Sequence, residues 1–218
     1  MDNPATIRVT GRGMLRLRPD TTRITVTLEG VETAYAATLR RSAADSATVR
    51  EALAPIGFTA EDLKTLNFSV QTEYEGYQEE GVYRQRIAGY RFRHELKVEF
   101  PSDNERLGRV LAALAEAELT PEIRIAYTVK DREAAKNLLL SAAVADAKAK
   151  AEALTAAAGV KLSGIRHISY SMNDSEFAVQ PVLYAGMKRN ACADSFAPEI
   201  VPEDIEVSDV VTVIWEIE

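Results

Sequence analysis

Apolar and polar residues alternate through the first 30 positions, with the period of a β-strand that has one face on a core. Ile7 and Val9 lie on one side of the first segment, and residues 21–31 repeat the pattern. Two glycines interrupt the first segment, at Gly11 and Gly13. Because glycine weakens a strand interior, the sequence predicts a bulge or tight turn there.

The spacing of apolar residues changes after Glu32 to that of an amphipathic helix, which ends before Pro55. Its predicted inward face consists of Tyr35, Leu39, Ser42, Ser46, Val49 and Leu53. A second helix is predicted to open at an S-x-x-E capping box formed by Ser102 and Glu105.

The longest predicted helix runs from a cap at Asp131 to a left-handed C-cap at Gly159, over about 27 residues. Its second half is rich in alanine and carries balanced charges such as Lys148 and Glu152. Alanine is the best helix former, and its small side chain lets a helix approach a sheet closely. We therefore interpret this segment as a scaffold helix and not as a basic binding surface.

A long hairpin is predicted between the two shorter helices, with Leu66, Phe68 and Val70 alternating on its first strand and residues 87–100 forming the second. Its tip carries the tyrosines Tyr74, Tyr77 and Tyr83. Tyrosine is enriched in protein interfaces, so these three are candidate contact residues. The tip also carries four carboxylates, which we interpret as a solvated rim: Glu73, Glu75, Glu79 and Glu80.

Residues 173–204 show no sustained period and contain several prolines. Such a long irregular loop is uncommon in a compact domain and usually has a function or lies at an interface. Met187 and Cys192, which lie in it, are further candidate contact residues. Cys192 has no base at a spacing that would indicate a catalytic nucleophile.

The order of elements predicts an α+β fold, with a mainly antiparallel sheet and helices stacked on one face. We expect one domain over residues 1–218. Structural roles are predicted for Pro19 and Asp20, which form a turn, and for Gly89.

Charge and composition exclude several classes of protein. The net charge is −7, with 33 acidic and 26 basic residues. This balance argues against sequence-independent nucleic-acid binding. A single cysteine cannot form an intramolecular disulfide, and no catalytic, cofactor or metal motif is present. His94 and His167 are predicted to be structural. No apolar run suggests a transmembrane helix or a signal peptide, so we expect a cytoplasmic protein, or an exported one if a leader has been removed.

Taken together, seven segments spread in order over nearly the whole chain resemble the SIMPL-domain family: ATIRVTGRG, RPDTTRITVTLEGVET, EDLKTLNFSVQTEYEG, IAGYRFRHELKV, LGRVLAALAEAEL, DAKAKAEALTAAAGVKLSGIRHIS and VSDVVTVIWEI. That family includes bacterial periplasmic immunogenic proteins and proteins described as oxidative-stress defence factors. The resemblance implies an α+β fold with two strand–helix–strand halves, about 1–100 and 101–218, and, in some relatives, ring-like or cage-like oligomers. It implies no established enzyme activity, no cofactor and no catalytic residue. His94 stands where relatives often carry asparagine.

Three functional hypotheses follow. The first is a non-enzymatic, self-associating scaffold or envelope- or stress-associated protein, with homo-oligomers and an unidentified protein partner. The second is a small-ligand binding module with a pocket between the sheet and the 173–204 loop. The third is a hydrolase that uses His94 or His167 with a carboxylate.

Overall fold

The structure is a computed structural model that describes residues 5–79, 81–170, 177–179 and 200–218. The elements are β1 Thr6–Leu17, β2 Thr21–Glu32, α1 Tyr35–Leu53, a 3₁₀ turn Ala54–Ile56, β3 Lys64–Glu79, β4 Val82–Pro101, α2 Asn104–Glu116, β5 Glu122–Thr128, α3 Arg132–Ala158, β6 Leu162–Ser169, β7 Ala178–Val179 and β8 Ile205–Ile217. The predicted α+β class is confirmed, and both sheets are antiparallel.

The described residues group into two compact units. Unit 1 draws on Met1–Asp20, Thr128–Val179 and Glu203–Glu218, and unit 2 contains Thr21–Tyr127. These units divide the chain differently from the two predicted halves. The reason is that β1 pairs with β8 along its whole length, which joins the two ends of the chain in one sheet. The single-domain description stays a prediction.

Unit 1 consists of the sheet β1-β8-β6 and helix α3. Its core combines Val211, Val213 and Trp215 of β8 with the fully buried alanines of α3, which are Ala143, Ala147 and Ala151. The interpretation of α3 as a scaffold helix packed closely on a sheet is confirmed.

The bulge predicted at Gly11 and Gly13 is wrong, because β1 runs without interruption and pairs residue by residue with β8. A Cβ atom on Gly11 would lie 2.0 Å from the carbonyl oxygen of Ala143, and one on Gly13 would lie 2.1 Å from that of Leu139. Both distances are far below van der Waals contact. The glycines therefore serve the close approach of α3 to β1 and not a break in the strand.

Side chains of α3 also reach the outer edge of β1. One carboxylate oxygen of Asp146 accepts hydrogen bonds from the backbone N–H of Arg12, at 2.7 Å, and from Nζ of Lys150, at 2.6 Å. These contacts hold the pKa of Asp146 below its usual value, with the Lys150 hydrogen bond as the main cause. The backbone N–H of Arg12, at the edge of the sheet, is thus bonded to Asp146 and not available to pair with another strand.

The ends of α3 agree with the prediction. Asp131 is the N-cap and accepts a hydrogen bond from the N–H of Ala134 at 2.8 Å. Gly159 is the C-cap in the left-handed conformation, with φ of 72°. Both signals are local in sequence, since a cap needs only its own helical turn.

The capping box of Ser102 and Glu105 that was predicted at the start of α2 is wrong. The N-cap is Asp103, whose carboxylate accepts a hydrogen bond from the N–H of Glu105 at 2.9 Å. Ser102 instead lies 3.2 Å from the hydroxyl of Thr22, oxygen to oxygen. Asp103 has the extended backbone of a cap residue and an equally suitable side chain, so the helix starts one residue later than predicted.

The link between β1 and β2 contains Pro19, which is buried, and Asp20. The Asp20 carboxylate accepts a hydrogen bond from the N–H of Lys130 at 2.8 Å, and the Asp20 N–H donates to the carbonyl of Thr128 at 3.1 Å. The predicted structural role of Asp20 is thus a connection to the segment before α3.

Unit 2 contains four strands in the order β3-β4-β2-β5, and α1 packs against β2 and β4. Its core includes the fully buried Ile24, Val26, Phe92, Leu96 and Val98. The predicted inward face of α1 holds from Ser42 to Leu53, whereas Tyr35 and Leu39 are exposed. α2 contacts α1.

Only part of the predicted loop 173–204 belongs to the described residues. Phe177 is buried in the core of unit 1, and β7 follows it directly. Met187 and Cys192 lie outside the described residues. In the part of the chain that the structure describes, no helix combines the length and the apolar character needed to cross a membrane.

Candidate interaction surface

The β3–β4 hairpin extends well beyond the rest of its sheet. The pairing of β2 with β4 ends at Glu32 and Tyr90, so residues 82–89 of β4 pair only with β3. We call this two-stranded ribbon the arm (residues 73–79 and 82–89). At about 3.3 Å per residue it is about 25 Å long. A two-stranded ribbon is only marginally stable by itself, and a packing partner stabilises it.

The register of the arm separates its side chains into two unlike faces. Tyr74 lies opposite Ile87, and Gln78 lies opposite Tyr83. Directly opposed residues share a face. We call this side the aromatic face, and its members are Tyr74, Gly76, Gln78, Tyr83, Gln85 and Ile87. No member is charged, although Tyr74, Tyr83 and Ile87 are 61%, 68% and 54% exposed.

The other side of the arm, which we call the charged face, has its side chains engaged with one another. Glu75 and Arg86 form an ion pair, and the guanidinium of Arg86 lies 5.5 Å from the centre of the Tyr77 ring. Glu73, next to the arm's base, pairs with Arg91. At Glu73 and Glu75 the predicted rim of solvated carboxylates is therefore a set of ion pairs. The three predicted tyrosines also divide, since Tyr77 is on the charged face.

Tyr83 lies across the ribbon and over a glycine. A Cβ atom on Gly76 would be 1.8 Å from the Tyr83 hydroxyl oxygen. In this conformation the Tyr83 ring occupies the space that a side chain at residue 76 would need. The Tyr83 side chain thus extends over the backbone of Gly76, on the same face of the ribbon.

A β-bulge connects the arm to the rest of the sheet. Between Glu73 and Tyr74 the partners on β4 step from Gly89 to Ile87, so Ala88 is an extra residue. This step places the aromatic face on the same side of the sheet as Tyr90 and Phe92, which is the side covered by α1 further along. The sequence carries a signal for it, because the apolar positions change from odd numbers, 83 and 87, to even numbers, 90 and 92.

Gly89, for which a structural role was predicted, lies next to this bulge. A Cβ atom there would lie 2.6 Å from the carbonyl oxygen of Glu32, the last residue of β2. Glycine therefore allows β2 to remain close to the bulged strand at the point where the arm begins.

Exposed apolar side chains continue from the arm along the flank of α1. Tyr35 is 52% exposed and packs edge-on against Tyr90, with 5.6 Å between ring centres. Phe68, 44% exposed, packs edge-on against His94 at 5.2 Å. We call the whole surface the aromatic strip, consisting of Tyr35, Leu39, Phe68, Tyr74, Tyr83 and Ile87. Of this set, only Tyr74 and Tyr83 were predicted from the sequence as contact residues.

His94 lies beneath the strip and joins α1 to the edge strand. Its Nδ1 is 3.1 Å from the Ser42 hydroxyl, and its Nε2 is 3.1 Å from the Thr65 hydroxyl. Burial, with a smaller contribution from the positive charge of Arg50, lowers the pKa of His94. The environment thus favours a neutral, hydrogen-bonded imidazole, in agreement with the predicted structural role.

The hydrolase hypothesis requires a carboxylate beside a histidine. Among the hydrogen bonds and ion pairs of the described residues, neither His94 nor His167 contacts one. Ser42, the hydroxyl nearest to His94 Nδ1, is 2% exposed and thus shielded from a substrate. His167 is exposed on β6. Catalysis at either histidine has no geometric support in this part of the chain.

The other predicted sites concern metals and small ligands. Within the described ranges, no group of three or more potential metal ligands is brought together. The ligand pocket predicted beside the 173–204 loop falls mostly outside the described residues. Its described surroundings in unit 1 include an open cleft of about 670 Å³, where Arg16 is paired with Asp204 at 2.9 Å.

Comparison with known proteins agrees with the resemblance noted in the sequence. The model of the SIMPL family, described as protein of unknown function (DUF541), matches residues 7–215. No curated protein matches the chain. The match includes residues of both units, with α1, α2, α3 and the described residues of the arm.

Proposed function

The chain belongs to the SIMPL family, and we propose that it is a non-enzymatic protein that self-associates and acts as a scaffold. The observation that carries this proposal is the arm. Its aromatic face projects into solvent without a third strand or a helix among the described residues to cover it. An envelope- or stress-associated role is part of the proposal and rests on the family resemblance alone.

The energetics of the arm support a binding role. Burying apolar surface contributes roughly 25 cal/mol per Å². The half-exposed aromatic side chains of the arm would therefore gain considerable stabilisation if a partner covered them. The charged face shows that the same ribbon can carry polar side chains at low cost. The grouping of Tyr74, Tyr83 and Ile87 on one uncharged face is typical of a surface that is covered by a partner.

The test is the mass of the protein in solution by size-exclusion chromatography with light scattering. We expect the unmodified chain to form a multimer. A variant with Tyr74→Ser, Tyr83→Ser and Ile87→Ser should have the mass of a single chain, because the apolar contact is removed. Tyr77→Ser is the matched control on the charged face and should leave the multimer intact.

A monomeric unmodified chain at micromolar concentration would contradict self-association. Equal loss of the multimer in the triple variant and in Tyr77→Ser would instead show that the effect comes from the arm's stability and not from its aromatic face. Circular dichroism of each variant checks that unit 2 is still folded.

A further inference from the structure

We infer that the occupant of the aromatic strip is the aromatic strip of a second copy, with the two arms packed face to face and antiparallel about a two-fold axis. In this arrangement the tip of each arm covers the base of the other. The inference rests on the proposed self-association and adds the surface, the symmetry and the residues that meet.

Charge favours a second copy on this face. The chain has a net charge of −7, so most pairings of two copies bring like charges together. The aromatic face has no charged member, and Glu75 and Arg86 of the opposite side are paired with each other. Two copies can therefore meet here without desolvating an unpaired charge.

The area available is close to what a stable dimer needs. With about 150–250 Å² for each aromatic side chain and the exposed fractions given above, the six members of the strip offer about 600 Å² per copy. Specific interfaces bury about 800 Å² per partner, and neighbouring polar residues such as Gln78 and Gln85 contribute the remainder. The arm's face alone would fall short, so the interface includes Tyr35, Leu39 and Phe68.

The length of the strip determines which residues meet. Phe68 and Gln78 are separated by ten residues, or about 33 Å along the strand. In an antiparallel overlap of two such strips, the Tyr74–Ile87 pairs lie near the axis. Tyr83 of one copy, at the tip, then lies over Phe68 of the other. The contact is isologous, so it closes at two copies.

Chemical cross-linking tests this geometry directly. Cys192→Ser, which removes the single native thiol, is the background. Phe68→Cys and Tyr83→Cys are prepared separately in it, mixed, and treated with a bismaleimide whose spacer is about 10 Å, the distance between packed sheets. We expect a covalent dimer that contains one chain of each variant. Neither variant alone should cross-link, because identical positions lie far apart across the axis.

Arg84→Cys is the matched control, since it is next to Tyr83 in sequence but on the charged face. Mixed with Phe68→Cys, it should give at least tenfold less dimer than Tyr83→Cys does. Equal yields from the two would overturn the face-to-face arrangement.

The mass of the same samples before cross-linking separates the two levels of the proposal. A multimer without the Phe68–Tyr83 product would overturn this interface and leave self-association standing, with pairing along the open edge of β3 as the next model. A monomer without the product would overturn both. The expected product can form only if both are correct.

Discussion

β1 and β3 are outer strands of two different sheets, and they differ in how extensively a helix contacts them. In unit 1, Asp146 and Lys150 of α3 reach the edge of β1 and bind backbone groups of Arg12 and Thr10. In unit 2, α1 packs on β2 and β4, and the arm lies beyond the end of β2. Helix α3 thus covers the outer strand of unit 1, whereas no helix among the described residues covers the arm of unit 2.

The side chains of the two regions match this difference. Where α3 meets β1, glycine faces alanine, and the backbones of helix and strand come into direct contact. On the arm, tyrosine and isoleucine stand out at positions where no helix of the described chain covers them. Small residues therefore mark the surface that is filled within unit 1, and large apolar residues mark the surface proposed for a second copy. The contrast can be tested by substitution on each side.

The largest loss of folding stability is expected on substitution of Gly11. Gly11→Ala places a Cβ atom 2.0 Å from the Ala143 carbonyl oxygen, so α3 has to move away from β1. We expect the free energy of unfolding to fall by about 3 kcal/mol in urea titrations. Gly164→Ala in β6 is the control, because a Cβ there meets nothing within 4 Å. Unchanged stability of Gly11→Ala would show that the contact with α3 is adjustable.

A smaller loss of folding stability is expected on substitution of Gly159, at the end of α3. Gly159→Val puts a β-branched residue at φ of 72°, which costs about 1–2 kcal/mol. The melting temperature should fall accordingly, whereas Gly164→Val, in a strand with open space, should change it little. A melting temperature equal to that of the unmodified chain would argue against the left-handed cap.

The smallest effect is a pH dependence in unit 2. The folded state lowers the pKa of His94, so between that lowered value and the unfolded value of about 6.5 the unfolded chain binds more protons. Stability is therefore full above this window and decreases as the pH falls through it. Urea titrations at pH 7.5 and 5 should differ less for His94→Asn than for the unmodified chain.

His167→Asn is the control for this prediction, since it leaves His94 and its contacts with Ser42 and Thr65 in place. A pH dependence that is the same in His94→Asn and the unmodified chain would assign the effect to other groups.

Local chemistry made much of the fold predictable. Both caps of α3 and the hairpin follow from signals contained within a few residues. The predictions that were wrong depended on contacts distant in sequence. Gly11 and Gly13 suggested a break in the strand because the helix that packs against them is about 130 residues away in the sequence. The N-cap of α2 was misplaced by one residue because two suitable residues, Ser102 and Asp103, are adjacent.

By itself, the sequence determined the family, the α+β class and the presence of tyrosines on a hairpin. Only the tertiary structure decided that Tyr74 and Tyr83 lie on the side of the sheet that carries Tyr90 and Phe92 and that this side is left uncovered there by the described residues, because those facts depend on the bulge at Ala88 and on where β2 ends. It also decided that Phe68 and Tyr35 extend the same surface. The physical reason is that alternation within a strand is a local property, whereas exposure depends on which neighbouring element is long enough to cover it.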